Sequence, residues 1–223
     1  MYGTIDYYRS LSETKTVRRG EIWWTCFAYS RLGNEVLRLR SEQKVTLIDV
    51  RAFDPQLEQD EPKNRTKAGE FMALVKYKVR PVIIVSSAAT ASRHDAKRPS
   101  GDRYLVVPLC TLRDDLTGEY KHRPEFVWDA ITYQCPCVYY LPEASEYGAR
   151  ESVARIDDMT TLHASWLQTS ARCCLTDEAL KCLDEWIRHF LHGKVRDSFW
   201  RDIQDYREMA GSDPSFRIGI LGS

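Results

Sequence analysis

Cysteine and histidine are the residue types that most directly indicate chemistry here, because their side chains ligate metals, act as nucleophiles and carry protons. The chain has seven cysteines and five histidines. Cys135 and Cys137 flank a single proline, and Cys173 is followed directly by Cys174. Neither spacing is typical of a zinc site, which pairs one C-x-x-C with a second pair of Cys or His ligands. We therefore expect these cysteines to act as small hydrophobic residues in strands, and the sequence predicts no metal site and no cofactor.

Familiar nucleotide and hydrolase motifs offer no alternative. The chain has no P-loop, no G-x-G-x-x-G turn, no H-E-x-x-H helix and no G-x-S-x-G elbow. His189 and His192 fall in the last turn of a predicted helix, where a positive charge suits the negative end of the helix dipole. We interpret these two histidines as structural.

Several segments in a fixed order carry the strongest functional signal. They are R-R-G-E-I-W-W (18–24), K-V-R-P-V-I-I-V-S (78–86), V-V-P-L-C-T (106–111), S-V-A-R-I-D-D-M-T-T-L (152–162), Trp166-Leu167 and L-T-D-E-A-L-K-C-L (175–183). In this order they resemble the PemK/MazF family of toxin endoribonucleases from type II toxin–antitoxin systems. The resemblance covers most of residues 17–192, and the order of the motifs carries it rather than any one of them.

The resemblance implies an α+β fold, mostly β: a small antiparallel SH3-like barrel with a C-terminal helix. It implies a metal-independent endoribonuclease that cleaves single-stranded RNA by attack of the RNA 2′-hydroxyl, leaving 2′,3′-cyclic phosphate and 5′-hydroxyl ends. The implied partners are the RNA, a second copy of the chain in a homodimer, and an antitoxin whose extended tail covers the RNA groove.

Two other functions stay open. A non-catalytic toxin on the same barrel would poison DNA gyrase through its C-terminal helix, and the aromatic residues Phe199, Trp200 and Tyr206 are compatible with that alternative. The other is a plain RNA-binding or protein-binding module that serves a larger assembly.

The resemblance also assigns a catalytic pair, namely Arg80 of the R-P motif and Thr111 at the end of the P-L-x-T strand. The guanidinium suits a phosphorane, because it offers planar paired donors and stays charged at cellular pH. The threonine hydroxyl would donate to a nonbridging oxygen or orient the 2′-hydroxyl. Taken singly, an arginine at a strand start is commonly a solvated edge charge, and threonine is common in strands.

Further candidates flank this pair. His94 follows the Arg80 strand and His122 follows Thr111, so either imidazole could act as acid or base, although each is otherwise an ordinary loop histidine. The whole chain is neutral, with 32 basic and 32 acidic residues, but residues 63–103 carry a net charge of +7 and residues 141–193 a net charge of −4. A basic RNA groove is thus compatible with overall neutrality. The predicted RNA-binding residues are Arg18, Arg19, Lys76, Lys78, Arg93, His94, Lys97 and Arg98.

The chain departs from the family pattern at two places. The G-S-E-Q turn before the R-P strand is reduced to Gly69-Glu70, and Asp158 and Thr160 stand where the family has glutamine and arginine. Trp23 and Trp24, which are adjacent in a predicted strand, are expected to point to opposite faces, with one of them in the core.

Apolar patterning predicts the elements that position these residues. Thr176 is expected to cap a helix that Gly193 ends, and a second amphipathic helix is expected at about 195–209. The domain organisation is expected to comprise a loose extension (1–16), a barrel domain (17–193) with an insertion at about 31–70, and a helical extension (194–223). Strands are expected at 18–29, 80–87, 104–111, 126–129, 137–141 and 152–157, a hairpin within 34–53, and exposed loops at 54–70 and 89–103.

Composition bounds the class of protein. With 43% hydrophobic residues the chain can close a core. No stretch approaches the ~20 apolar residues that a membrane helix needs, and residues 1–20 lack the apolar region of a signal peptide. An odd number of cysteines without such a signal favours reduced thiols and a cytoplasmic location.

Overall fold

The computed structural model describes residues 6–11, 17–28, 35–40, 44–49, 77–86 and 103–212, without the side chains of residues 26–28, 35–40, 44–49, 77–78 and 172. The chain divides into two units, Cys26–Val79 and a larger one made of Met1–Thr25 and Arg80–Ser223. The loop predicted at 54–70 and almost all of the loop predicted at 89–103 lie outside the described residues.

Ten strands are described. They are β1 (Tyr8–Ser10), β2 (Glu21–Ala28), β3 (Glu35–Arg40), β4 (Lys44–Asp49), β5 (Tyr77–Ile84), β6 (Arg103–Thr111), β7 (Val138–Leu141), β8 (Ser152–Arg155), β9 (Thr160–His163) and β10 (Leu167–Leu175). The hairpin predicted within 34–53 is confirmed, because β3 and β4 pair antiparallel with Leu37 opposite Leu47.

The remaining strands form one curled, half-barrel sheet in the order β1-β10-β2-β5-β6-β8-β7, with β9 also paired to β6. Neighbouring strands are antiparallel at β1–β10, β10–β2, β5–β6, β6–β8, β6–β9 and β7–β8. The expected mixed α and β fold with mostly antiparallel strands is therefore confirmed.

Three α-helices accompany the sheet in the described part of the chain: α1 (Pro124–Ile131), α2 (Asp177–His192) and α3 (Asp197–Ser212). The caps predicted for α2 are confirmed. The Thr176 hydroxyl accepts from the Ala179 amide, and Gly193 ends the helix in the left-handed region with φ of 64°. The second helix predicted at about 195–209 corresponds to α3.

The strand predicted at 126–129 is wrong, since these residues lie in α1. Pro124 occupies the first helical turn, where its fixed φ favours a helix and its missing amide hydrogen costs nothing. Val127, Ala130 and Ile131 are buried at helical spacing. The three aromatic and β-branched residues at 126–128 look like a strand only when this longer spacing is ignored.

Strand pairing at the edge of the sheet was not predicted. Tyr8–Ser10, within the segment expected to be a loose extension, forms β1 against the end of β10, with Tyr8 opposite Leu175. Tyr7 and Tyr8 are buried there. The polar sequence of β10 hides a strand that is paired on both sides, by β1 and by β2.

Alternate residues along β6 and directly after it face two different apolar clusters. Val107 and Leu109 belong to the main core, where α2 and α3 pack through residues such as Trp186 and Ile203. Leu112 and the half-buried Cys110 belong to a smaller cluster that includes Ala130 of α1. Helices α2 and α3 therefore cover one face of the sheet, and α1 covers the other face at its end. None of the helices in the described residues is long and apolar enough to cross a membrane.

Candidate functional site at the end of β5 and β6

Arg80 lies on β5 opposite the end of β6. Val82 pairs with Pro108, and continuing this antiparallel register places Arg80 opposite Cys110. The Arg80 Nη1 donates a hydrogen bond of 2.7 Å to the Cys110 Sγ. The half-buried guanidinium is therefore held on the face of the sheet that α1 covers.

Thr111 is the last residue of β6, and strand alternation turns its side chain away from the face that holds Cys110 and Arg80. Its hydroxyl accepts a hydrogen bond of 3.2 Å from the Nζ of the exposed Lys121. The structure thus places Arg80 with Cys110, and Thr111 with Lys121. The two predicted catalytic residues therefore lie one register position apart on β5 and β6 but on different faces of the sheet.

A second arginine lies on the face that holds Arg80. Cys110 pairs with Val153, and Arg155 lies two residues further along β8. The Arg155 Nε and Nη2 donate to the two carboxylate oxygens of Asp157 at 2.9 and 2.7 Å, and Asp158 Oδ2 lies 3.7 Å from Nη2. The hydrogen bonds to Asp157 raise the pKa of Arg155 above its ordinary value.

These carboxylates come from a short 3-10 turn, Ile156–Asp158, between β8 and β9. Both strands pair with β6: β8 pairs near the end of β6, and β9 pairs near the start of β6. The turn therefore lies where one strand stops pairing with β6 and the next begins. Asp158 thus brings a second negative charge beside Arg155.

His122 faces the same group of charges. Its ring packs on Phe126 of α1 with centroids 5.1 Å apart. Burial lowers the pKa of His122, and the positive charges of Arg155 and Lys121 lower it further. The imidazole is therefore neutral at pH 7, the state in which it accepts a proton.

Two more thiols complete the group. Cys135 and Cys137 lie in the turn between α1 and β7, with their Sγ atoms 3.1 Å apart. The Cys137 carbonyl accepts from the amides of Ile156 and Asp157 at 2.9 and 3.4 Å. These two cysteines are not strand residues as expected, whereas Cys173 and Cys174 are buried in β10 as expected. The six cysteines whose side chains are described are free thiols.

The other predicted site residues have more varied surroundings. Arg19 donates from Nε to the Val85 carbonyl at 2.8 Å and forms an ion pair with Asp184 of α2. Arg18 is exposed, and Lys78 lies on β5 without a described side chain. Lys76, Arg93, His94, Lys97 and Arg98 lie outside the described residues.

The prediction that Trp23 or Trp24 enters the core is wrong. Trp23 is half-buried, with its Nε1 donating to Glu21 Oε2 at 2.8 Å. Trp24 is 41% exposed. Among the residues of β2 that belong to the larger unit, the buried ones are Glu21, Ile22 and Thr25.

A buried carboxylate stiffens the loop that carries Lys121 and His122. Glu151 is 8% exposed. It accepts from Arg113 Nε at 2.6 Å, from the Tyr140 hydroxyl at 3.0 Å and from the Tyr120 hydroxyl at 3.3 Å. Burial and the neighbouring charge of Glu151 raise the pKa of Tyr140. The network ties the loop after β6 to β7 and to the start of β8.

Sequence reasoning missed Cys110, Lys121 and Arg155 as members of this group. The available signal was strand alternation. A residue of β6 that faces Arg80 must be on the same side of the sheet as Cys110, which is the side opposite to that of Thr111.

Comparison with protein-family models finds no match to this chain. Comparison with curated proteins finds no relative either.

Proposed function

We propose that this chain is a metal-independent endoribonuclease of the PemK/MazF type that cleaves single-stranded RNA. The observation that carries the proposal is the hydrogen bond of Arg80 on β5 to Cys110 near the end of β6, with Arg155 on the same face of the sheet. For the Arg80 Nη1 donor, a phosphate oxygen is a stronger acceptor than the Cys110 thiol.

The chemistry divides among the residues as follows. Arg80 binds the scissile phosphate and stabilises the charge that develops on the phosphorane. Neutral His122 takes the proton of the 2′-hydroxyl as its oxygen bonds to phosphorus, a task for which an always-protonated guanidinium is poorly suited. The bond from phosphorus to the 5′-oxygen breaks, and this oxygen takes a proton from water to give the 5′-hydroxyl end. We assign the phosphate to Arg80 because the resemblance places the catalytic arginine there, and we assign an electrostatic role to Arg155, which is paired with Asp157 and Asp158. Thr111 and Lys121 bind the adjacent phosphate or orient the ribose.

The wider proposal follows from the same resemblance. It includes an SH3-like barrel, a homodimer, a cytoplasmic location and an antitoxin whose tail occupies the RNA groove. The exposed Trp24, on the sheet that carries Arg80, offers a ring on which a base can stack.

The gyrase-poison alternative gains no support from α3. Phe199 is buried, and Trp200 and Tyr206 are partly buried against the same core. These aromatic side chains hold α3 on the larger unit. We therefore retain RNA cleavage as the single proposed function.

The proposal is tested with the purified full-length chain on a single-stranded RNA in the presence of a metal chelator. We expect fragments with cyclic phosphate and 5′-hydroxyl ends. Arg80→Ala is expected to lower the rate by about 10² or more, and Arg80→Lys also strongly, because lysine lacks the planar paired donors. Arg201→Ala, which removes an equal charge from the exposed side of α3, is the matched control. Wild-type protein that leaves all RNAs intact, or an Arg80→Ala variant that cleaves as wild type does, would refute the proposal.

A further inference from the structure

We propose that Cys135 and Cys137 form a redox-active dithiol, which a small-molecule disulfide of the glutathione type converts reversibly into an intramolecular disulfide. Their Sγ atoms are 3.1 Å apart, so the sulfurs need to approach by only about 1 Å to reach the bonded distance. Both residues are half-buried, which leaves the sulfurs accessible to a small oxidant. This inference goes beyond RNA cleavage and does not depend on it.

The intervening proline favours the encounter. Pro136 fixes its own φ and restricts the backbone of Cys135, so the C-P-C turn loses little further freedom when the bond forms. The ring that closes over a single residue is small, and strained disulfides are the readily reduced ones. We therefore expect a bond that forms and breaks with the thiol–disulfide ratio, not a permanent cross-link.

The order of steps follows from the surroundings of the two thiols. Burial raises the pKa of Cys137, and the hydrogen bond and charge of Cys135 raise it further, followed by the charge of Asp157, while Arg155 acts in the opposite sense. The first attack on the oxidant therefore comes from Cys135. Once Cys135 is in a mixed disulfide, its thiolate charge is gone, and one cause of the high Cys137 pKa disappears.

The reaction balances without another reactant. The Cys135 thiolate attacks one sulfur of glutathione disulfide, forming a mixed disulfide and releasing one glutathione thiolate. The Cys137 thiolate then attacks the Cys135 sulfur, forming the Cys135–Cys137 bond and releasing the second glutathione thiolate. Two protein thiols are oxidised, one glutathione disulfide is reduced, and the two protein protons are taken up by the two glutathione molecules.

The dithiol is coupled to the candidate site through the backbone of Cys137. Its carbonyl accepts from the amides of Ile156 and Asp157, which begin the turn that holds Arg155. Movement of Cys137 toward Cys135 therefore weakens these hydrogen bonds. We expect oxidation to increase amide hydrogen exchange in the turn Ile156–Asp158.

The experiment uses the intact, folded chain in buffers of varied glutathione disulfide content, followed by acid quenching, alkylation in denaturant and tryptic peptide mapping. Residues 122–150 fall in one tryptic peptide, because Arg123 precedes a proline, and Cys135 and Cys137 are its only cysteines. We expect this peptide to lose both alkylation sites and two hydrogen atoms of mass under oxidising conditions. It should regain them in dithiothreitol, and exchange at Ile156–Asp158 should rise with the linked fraction.

Two variants separate the steps. Cys137→Ser is expected to accumulate glutathione on Cys135, whereas Cys135→Ser should acquire it on Cys137 more slowly, because burial still raises the pKa of Cys137 and the thiolate is the attacking form. Cys173 and Cys174, which are buried, serve as internal controls and should remain alkylated after the denaturing quench. The proposal is overturned if both thiols of the 122–150 peptide stay alkylated in oxidising buffer, or if exchange at the turn does not change. These readouts do not involve RNA, so failure of the proposed function leaves them decisive.

Discussion

The guanidinium of Arg80 and the thiol of Cys110 are hydrogen-bonded partners on neighbouring strands, with Nη1 and Sγ 2.7 Å apart. This pairing identifies the residue that faces the proposed phosphate ligand. The Thr111 hydroxyl, the other proposed catalytic group, lies one residue further along β6 and is contacted by Lys121. The Cys110 side chain therefore becomes the first target for substitution.

Replacing Cys110 by valine is expected to lower RNA cleavage by up to about tenfold, because Arg80 loses one acceptor that orients it before the phosphate binds, and a hydrogen bond to a charged group contributes about 1.5 kcal/mol or more. Valine keeps roughly the volume of the thiol, so the half-buried position stays filled. Cys110→Ser, which keeps an acceptor, is the matched control and should cleave within about threefold of wild type. Initial rates on a labelled oligonucleotide measure both. A valine variant with the wild-type rate would show that the thiol does not position Arg80.

The pH dependence of cleavage should report His122. Burial and the charges of Arg155 and Lys121 place its pKa below the ordinary value of 6.5. The imidazole is therefore neutral and able to accept a proton at pH 6.5 and above. We expect kcat/KM to fall on acidification through the lowered pKa, with the acid limb below pH 6.5.

The same shift has a consequence for stability. The unfolded chain binds this proton more tightly than the folded chain does. Neutral His122 therefore contributes stability that is fully present above the pKa of His122 in the unfolded chain and is lost as the pH falls through its pKa in the folded chain.

His122→Gln should remove the acid limb of the rate profile and most of the activity, whereas His192→Gln, at an exposed position of α2, should leave the profile unchanged. An unaltered acid limb in the His122 variant would assign the proton transfer to another group.

Glu151 is expected to stabilise the fold. Glu151→Gln replaces a buried acceptor of three hydrogen bonds with an amide whose NH2 group faces the Arg113 donor. The free energy of unfolding should fall by about 1 to 3 kcal/mol. The lower part of that range applies if solvent screens the half-exposed Arg113.

Urea unfolding followed by tryptophan fluorescence measures this change, since the midpoint shifts at constant slope. Glu146→Gln, at an exposed position in the nearby Ser145–Tyr147 turn, removes the same charge and is expected to leave the midpoint unchanged. Equal midpoints for the two variants would mean that the Glu151 network adds nothing to stability.

A pair of glycines tests the end of α2. Gly193 has φ of 64° and no atom within 4 Å of an added Cβ, so Gly193→Ala carries only the backbone cost of the left-handed region. We expect a loss of about 1 kcal/mol in the free energy of unfolding. Gly211→Ala, in α3 and equally open, is expected to be neutral or to add about 0.5 kcal/mol, because alanine favours a helix. Urea midpoints of the two variants should therefore move in opposite directions or by clearly different amounts.

The predictable parts of the fold are those in which local pattern and tertiary role agree. The β-branched runs of β5 and β6 indicate buried strands, and Thr176 and Gly193 bound α2 by chemistry that acts within one turn. The α1 residues around Val127 were predicted as a strand because a short aromatic and β-branched run is compatible with the two-residue period of a strand and with the 3.6-residue period of a helix. The burial of Ala130 and Ile131 at helical spacing shows that the second period applies.

The site was predictable only in part for a different reason. Arg80 follows from a local motif, but its partner depends on the register between β5 and β6, which no short segment encodes. The meeting of His122 with Arg155 depends on two segments that lie more than thirty residues apart. Such proximity is a property of the sheet topology and not of either segment.

The final prediction concerns the salt dependence of RNA binding, and it follows from the proposed contact of Lys121 with an RNA phosphate. A lysine that neutralises one phosphate of a single strand contributes about 0.7 to the slope of log K against log salt concentration. Lys121→Ala should therefore weaken binding of a 2′-O-methyl RNA, which lacks the attacking hydroxyl, and reduce the steepness of its salt dependence by about that amount. Lys181→Ala, which removes the same charge from an exposed position of α2, should leave the slope unchanged. Fluorescence anisotropy over a series of salt concentrations measures both slopes, and equal slopes for the two variants would exclude Lys121 from the RNA-binding surface.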